Sequence, residues 1–168
     1  MVVRWWLMNR QSLVAAALAL VAVVAVVAAI LYKTKDNRVN LEGQILKVRS
    51  HQISPEQTIV LIDMRLRNAS AQSLVVRDVE VFVDADEPVP GVLFAESDIR
   101  RTLSYYPALG SRETPGLLRR DRIASGESTD RSLAISVPMT DEQLARRRAV
   151  RVVVQDVDGG SAVLVEKR

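Results

Sequence analysis

An unbroken apolar run near the N-terminus, residues 13–31, constrains this chain more than any other feature. Its 19 residues are eight Ala, six Val, four Leu and one Ile, with no Gly or Pro. As a helix it would be about 28 Å long, close to the ~30 Å hydrocarbon core of a bilayer. A helix that is apolar on every face is unsuited to the surface of a soluble domain. The run therefore predicts a transmembrane helix over residues 13–32, after a short tail of residues 1–12.

Residues that favour a membrane–water interface flank this run on both sides. Amphipathic aromatic side chains and long basic side chains settle at the level of the lipid head groups. The residues predicted to lie there are Trp5, Trp6, Tyr32, Lys33 and Lys35. Alanines four residues apart, such as Ala15 and Ala19, would let a second helix approach closely, so weak self-association through the helix is a further hypothesis.

A cleavable signal peptide is the main alternative to a permanent anchor. Its apolar region usually has about 7–15 residues and ends at small residues, whereas this run is longer and ends in Ile30, Leu31 and Tyr32. We therefore expect an uncleaved signal anchor. The basic flanks nearly balance, and a short tail before a first hydrophobic segment favours a cytoplasmic N-terminus. The abundance of Arg, Ala and Val is typical of bacterial proteins, so we expect a single-pass inner-membrane protein whose C-terminal domain is extracytoplasmic.

Charge and cysteine content exclude several classes of function. Arg4 and Arg10 supply two of the three net positive charges, so the chain from Lys33 onward holds 21 basic and 20 acidic residues. Nucleic-acid binding requires a basic face that neutralises phosphates, and we expect no nucleic-acid partner. The chain has no cysteine, which excludes disulfides, thiolate metal sites and a cysteine nucleophile.

After a polar linker over residues 33–39, segments of alternating apolar and polar residues predict β-strands. Residues 58–67 and 74–83 show this alternation most clearly, the second with Val75, Val79 and Val81 on one face. Further strands are predicted over residues 41–48, 92–94, 116–123, 131–137, 149–157 and 162–166. The last two are joined by a hairpin turn at residues 158–160.

The segments between the strands predict turns and short helices. Pro88 and Pro90 indicate a loop over residues 84–91, and residues 96–105 are compatible with a helical turn. Thr140 and Gln143 fit a capping box that opens a helix over residues 140–148. About seven short strands separated by turns are typical of a β-sandwich. We therefore predict a mainly β fold, an antiparallel sandwich over residues 40–168 with one or two short helices.

No residue pattern in the chain indicates an enzyme. His51 is the only histidine, and no Gly-x-Ser-x-Gly elbow accompanies it, so we expect a surface residue at a strand end. Residues 156–160 begin like a calcium loop, but Lys167 occupies the position of the bidentate glutamate. We predict no metal and no cofactor. An enzyme whose carboxylates converge in a shallow acidic cleft is the alternative. Distances between the carboxylate side chains are needed to test it.

Two local clusters of arginine are candidates for contact with anionic lipid head groups. They contain Arg119, Arg120 and Arg122 in the first, and Arg146, Arg147 and Arg148 in the second. Nearby Asp121, Asp141 and Glu142 also allow an ordinary solvated surface at both places. The sequence leaves the two interpretations open.

Residues 44–83, with Asn68-Ala-Ser between two strands, and the later layout of residues 123–133 leading to residues 150–154 resemble a known type of domain. They are similar to membrane-anchored immunoglobulin-like domains of uncharacterised bacterial envelope proteins, in the style of late-embryogenesis-abundant-like and FxLYD-type sandwiches. The FxLYD motif itself does not occur here. The resemblance implies an immunoglobulin-like fold and a place in the cell envelope, and it implies no catalytic residues.

These observations favour a non-enzymatic membrane protein whose anchor presents an immunoglobulin-like domain for protein binding or scaffolding. The expected partners are the lipid bilayer and a protein of unknown identity. A role as an accessory subunit of a larger membrane complex is the alternative, with contacts made through the helix as well.

Overall fold

The computed structural model describes residues 18–29 and 40–167. The chain divides into two units, Met1–Arg38 and Val39–Arg168, and each is described by itself. In the first unit, residues 18–29 form a helix, α1, with exposed side chains. Among the described residues, no helix has both the length and the apolar character needed to cross a bilayer. The rest of the predicted span, the tail of residues 1–12 and the linker of residues 33–39 lie outside the described residues.

The second unit is mainly β-structure with three short helical elements. Its elements in chain order are β1 (Leu41–Ser54), β2 (Gln57–Asn68), β3 (Leu74–Asp84), β4 (Pro88–Leu93), α2 (Glu96–Tyr105), a 3-10 helix (Pro107–Leu109), β5 (Arg122–Ile123), β6 (Ser128–Val137), α3 (Asp141–Ala145), β7 (Ala149–Asp156) and β8 (Ser161–Val165).

The strands form two antiparallel layers that share one strand. Sheet 1 has the order β1-β2-β6-β4, and sheet 2 has the order β4-β3-β7-β8. The first four residues of β4 pair with β3, and its last two, Val92 and Leu93, pair with β6. The short strand β5 pairs with the start of β3. Strand β4 therefore crosses from one layer to the other.

An aliphatic core fills the space between the two sheets. Val60, Ile62 and Ile135 of sheet 1 face Val81 and Val152 of sheet 2, and all five are at most 1% exposed. Alternate residues of each strand point into this space, as the period-two pattern predicts. The predicted antiparallel β-sandwich is confirmed.

A smaller apolar cluster covers the outer face of sheet 1. Ile59 and Leu61 of β2 and Ala134 of β6 point away from the main core and pack with Ile99 of α2 and Leu109 of the 3-10 helix. Strands β2 and β6 are consequently buried on both faces. Alternation in the sequence predicted burial on one face only, because it carries no information about a helix that packs on the other face.

Strand β4 occupies part of the segment predicted to be a loop. Pro88 and Pro90 are two residues apart, so both missing N–H groups fall on the same side of the strand. Pairing with β3 proceeds on the other side, where Val89 and Gly91 lie opposite Val83 and Val81. Two prolines in this spacing are therefore compatible with a strand.

Other element boundaries also differ from the predicted ones. Strand β1 continues to Ser54, with irregularities at two positions that let it follow β2 throughout. Of the predicted strand over residues 116–123, only Arg122–Ile123 is a strand, since the preceding residues bridge β6 to β3. A register shift between Val76 and Asp78 turns Val76 inward in place of Val75.

The capping box of α3 is confirmed, although the helix is shorter than predicted. The Thr140 hydroxyl accepts from the Gln143 N–H at 3.2 Å, and the Gln143 side chain accepts from the Thr140 N–H at 2.9 Å. The helix ends at Ala145. The backbone N–H of Arg148 donates to the Asp84 carbonyl, and the pairing of β7 with β3 begins there.

The crossing of β4 between the sheets depends on a glycine. A Cβ at Gly91 would lie 2.6 Å from Ile135 Cδ1 and 3.1 Å from Ile135 Cβ. We expect Gly91→Ala to lower the free energy of unfolding by about 1–3 kcal/mol through overpacking, measured by urea denaturation. In an Ile135→Val background, which removes the nearest methyl group, the loss should be smaller. Equal losses in both backgrounds would contradict this explanation.

Candidate functional site

The five residues predicted at the membrane interfaces lie outside the described residues. They are Trp5, Trp6, Tyr32, Lys33 and Lys35.

The first arginine cluster lies at the end of the sandwich where β3 begins. Arg120 has a φ of +70°, and its N–H donates to the Val76 carbonyl at 2.7 Å. The exposed Arg119 guanidinium donates to both carboxylate oxygens of Asp78, at 3.2 and 2.8 Å. This ion pair holds the pKa of Asp78 below its usual value. Arg122, in β5, is exposed, and Asp78 offsets one of the three charges.

The second arginine cluster is largely used to hold the sandwich together. The Arg147 guanidinium donates to both oxygens of Glu166 at 2.6 and 2.9 Å, with side chains only 9% and 12% exposed. Arg148 donates to two carbonyl oxygens of the turn between β3 and β4, at 2.7 and 2.9 Å. Arg146 follows α3 and is exposed.

The two arginine clusters are far apart. The first attaches to β3 at Val76 and the second at Asp84, eight residues further along the strand. At ~3.3 Å per residue, this is about 26 Å. The six arginines therefore belong to two separate surfaces at opposite ends of β3.

The residues considered for acid–base or metal chemistry have other contacts. Asp156 is buried, and its carboxylate accepts from the Val75 N–H at 2.8 Å, which joins β7 to the start of β3. His51 lies within β1, not at a strand end as predicted, and its ring centroid is 5.1 Å from that of Tyr106. Over residues 18–29 and 40–167, no three metal-ligating side chains come together.

The outer face of sheet 1 is fastened beneath α2 by ion pairs. The Arg49 guanidinium donates to Asp63 at 2.7 Å and to the Leu109 and Ser111 carbonyls at 2.6 and 2.9 Å. Glu96 at the start of α2 accepts from Arg112. These contacts hold the segment after β4 against the sheet, so this part of sheet 1 is closed to a partner.

A cleft of about 470 Å³ lies beside this segment and is lined by residues of β3, β4, β6 and α2. Its floor includes Val79, Ile99, Leu117 and Leu133, each at most 6% exposed. The ion pairs Asp78–Arg119 and Glu96–Arg112 are close by, and Asp78, Arg119 and Glu96 line the cleft. An apolar floor with paired charges suits an apolar side chain of a partner better than it suits proton transfer.

The outer face of sheet 2 differs from that of sheet 1 in being uncovered in the described part of the chain. Phe82 and Asp84 of β3 lie beside Arg151 and Val153 of β7 on this face, and we refer to these four residues as the Phe82 face. The Arg151 guanidinium carbon is 5.5 Å from the Phe82 ring centroid. The same guanidinium donates to both Asp84 oxygens at 2.6 and 2.8 Å, and this pairing raises the pKa of Arg151.

Two properties of the Phe82 face are typical of protein-binding surfaces. Arginine and aromatic side chains contribute most strongly to binding where a partner excludes water from them. The bidentate ion pair fixes Arg151 over the ring, so less side-chain entropy is lost on binding. This face was not predicted from the sequence, because the alternation over residues 74–83 indicates a polar side opposite the valines. Phe82, an aromatic residue on that polar side, was the available signal.

Comparisons with known proteins show no family for this chain. No family model matches the sequence, and no curated protein matches it. Among solved structures, the chain is similar to an uncharacterized beta-sandwich protein from Clostridium difficile 630, with 14% identity and a TM-score of 0.33. That alignment covers 76% of this chain and 82% of the other.

The Glu96–Arg112 ion pair predicts a pH-dependent stability. Hydrogen bonds from Arg112 hold the pKa of Glu96 below its usual value. A carboxyl whose pKa is lowered by folding stabilises the fold above its unfolded pKa of about 4.3, and this contribution disappears as the pH falls through the folded value. We expect Arg112→Gln to lower the free energy of unfolding at pH 7, measured by urea denaturation. Between pH 5 and pH 3, the variant should lose less of this free energy than the wild type does. Arg101→Gln, which replaces an exposed arginine of α2, the helix that carries Glu96, is the control. The same dependence of the unfolding free energy on pH in the wild type and in Arg112→Gln would contradict the role given to the Glu96–Arg112 pair.

Proposed function

We propose that this chain is a non-enzymatic, single-pass membrane protein of a bacterial envelope that presents an immunoglobulin-like domain for protein binding. The apolar run of residues 13–31 supports the anchor. Residues 18–29 within it are helical, and Leu18, Leu20, Val23 and Val24 are 59–66% exposed. Apolar side chains in such a helix are stabilised by transfer into lipid.

The strand order supports an immunoglobulin-like description of the sandwich. Immunoglobulin constant domains have strands A, B, E and D in one sheet and C, F and G in the other. Assigning β1, β2, β3, β6, β7 and β8 to A, B, C, E, F and G reproduces this order, with β4 beside β6 in the place of D. Strand β4 also lies beside β3, where an additional strand joins the second sheet in variable domains. The disulfide of antibody domains is replaced by aliphatic packing, since the chain has no cysteine.

Protein binding is proposed from the contrast between the two outer faces of the sandwich. An antiparallel sheet with one face in water usually carries polar residues on that face. The Phe82 face instead combines an aromatic ring and Val153 with a fixed ion pair. A binding surface of this kind functions at modest affinity when a membrane anchor confines the domain near its partner, because confinement raises the effective concentration.

The anchor predicts how the full-length protein fractionates. We expect it in the membrane pellet after ultracentrifugation and in solution after addition of detergent, and mass spectrometry should find residues 2–12 retained in the mature chain. Val23→Arg combined with Val24→Arg should move the protein to the supernatant, since a charge at the bilayer centre is unfavourable by roughly 2.5–3.5 kcal/mol. Wild-type protein in the supernatant, or a mature form that begins near Lys33, would contradict an uncleaved anchor.

The orientation of the anchor is tested in the same preparation. A reporter that is active only in the cytoplasm, fused after Arg168, should be inactive if the domain lies outside the cytoplasm. Reporter activity would reverse the proposed orientation without affecting the anchor itself.

Two similar ion pairs on opposite sheets allow a matched test of the Phe82 face. Arg65 of β2 binds both oxygens of Asp130 at 2.7 and 2.9 Å on the outer face of sheet 1, as Arg151 binds Asp84 on sheet 2. We expect a partner that copurifies with the wild type in mild detergent to be reduced at least tenfold by Arg151→Glu and unchanged by Arg65→Glu. Quantitative mass spectrometry measures both. Equal retention in the two variants would exclude the Phe82 face as the contact surface.

A further inference from the structure

Strand β8 forms one edge of sheet 2 and lies close to β1 of sheet 1 without pairing with it. It bonds to β7 on one side, and in the described sandwich no backbone hydrogen bond joins its other side to β1. Val163 and Val165 of this strand are 56% and 46% exposed. An edge strand with exposed apolar side chains is a site where another strand can add.

The hydrogen bonds at the two ends of the hairpin show which residues of β8 face the free edge. The Asp156 N–H donates to the Gly160 carbonyl at 2.8 Å, and the Glu166 N–H donates to the Val150 carbonyl at 2.9 Å. Hydrogen-bonded positions alternate along an antiparallel pair. Residues 160, 162, 164 and 166 therefore bond to β7. The N–H and C=O groups of Ser161, Val163 and Val165 point outward.

The free edge of β8 lacks the features that usually prevent strands from pairing. Edge strands are protected by charged side chains, prolines and bulges. Strand β1, the edge of sheet 1, has register irregularities at two positions and carries Lys47 and Arg49. Strand β8 is regular over its five residues and contains no charge and no proline. The two edge strands therefore differ in how well they are protected against pairing with another strand.

We propose that β8 pairs antiparallel with β8 of a second copy of this chain, centred on Val163. In this register Val163 lies opposite the second copy's Val163, and Val165 lies opposite its Ser161. All three outward-facing residues of each strand are then bonded, with six backbone hydrogen bonds in total. Any other antiparallel register leaves at least one of these residues unpaired.

Charge at the two ends of β8 favours this antiparallel arrangement. Asp158 lies in the hairpin before β8, and Lys167 follows the strand. Antiparallel pairing about Val163 brings Lys167 opposite the second copy's Gly159, next to its Asp158. Parallel pairing would instead align Lys167 with Lys167. The strand is thus complementary to itself in backbone pattern, apolar centre and end charges.

This pairing goes beyond the proposed function, since it needs neither the Phe82 face nor a second kind of protein. A contact of one short strand is small compared with a standard interface. Confinement of copies in a membrane would raise their effective concentration and favour it.

The absence of cysteine makes the register directly measurable in the full-length protein in its membrane. Val163→Cys should form a disulfide-linked dimer on mild oxidation, because the two Cα atoms of a hydrogen-bonded antiparallel pair are about 5.5 Å apart, within the range of disulfides. Ser161→Cys alone and Val165→Cys alone should remain monomeric. In this register, each residue lies four positions along the strand from the same residue of the second copy, which is too far for a disulfide. Differently tagged Ser161→Cys and Val165→Cys chains, expressed together, should form the mixed dimer.

Random collision and pairing through the membrane helix are distinguished by a matched position. Val92 of β4 is 68% exposed and lies away from β8. Val92→Cys should give less than one-tenth of the Val163→Cys dimer, and Val163→Lys, but not Val92→Lys, should abolish the mixed Ser161/Val165 dimer. Equal dimer yields at positions 92, 161, 163 and 165, or no dimer with Val163→Cys, would overturn the proposal. Loss of the copurifying partner in Arg151→Glu tests the Phe82 face separately, so the two proposals fail independently.

Discussion

Strands β2 and β6 are buried on both faces, and the other elements of the sandwich pack around them. On one face, Val60 and Ile135 pack against sheet 2, and on the other, Leu61 and Ala134 pack beneath α2. Each layer removes apolar surface from water, which is the main favourable contribution to folding. Since the two central strands of sheet 1 supply side chains to both clusters, neither cluster is complete without them. The positions of β1, α2 and sheet 2 follow from this arrangement.

The same arrangement makes the two outer faces of the sandwich different. The α2 segment is held on sheet 1 by the Arg49–Asp63 and Glu96–Arg112 pairs, so the apolar residues beneath it are withdrawn from any partner. Sheet 2 has no equivalent cover in the described residues, and its outward side chains include Phe82 and Val163. Where sheet 1 buries its outer apolar residues beneath α2, sheet 2 leaves Val163 exposed and Phe82 half-buried on its outer face. This asymmetry underlies the proposed binding role of the domain.

The two sides of the sandwich also differ in their edge strands. Strand β4 belongs to both sheets and therefore closes one side of the sandwich, with Gly91 small enough to pass beside Ile135. On the other side β1 and β8 lie close together without pairing. Irregularities and basic residues protect β1, whereas β8 is regular and apolar. A regular uncharged edge has a complete set of backbone donors and acceptors available to another strand.

The alternating strands, the α3 capping box and hence the β-sandwich could be predicted from the sequence, because alternation every two residues and a pair of residues three apart are local patterns. The three-dimensional structure was needed to show that β6 is buried on both faces, that Pro88 and Pro90 lie in a strand, and that Arg147 is bound to Glu166. It also separated the two arginine clusters and placed Phe82 beside Arg151. Each of these features depends on contacts between residues that are distant in the chain. A local pattern can indicate that a side chain is buried, but it does not show which residues cover it.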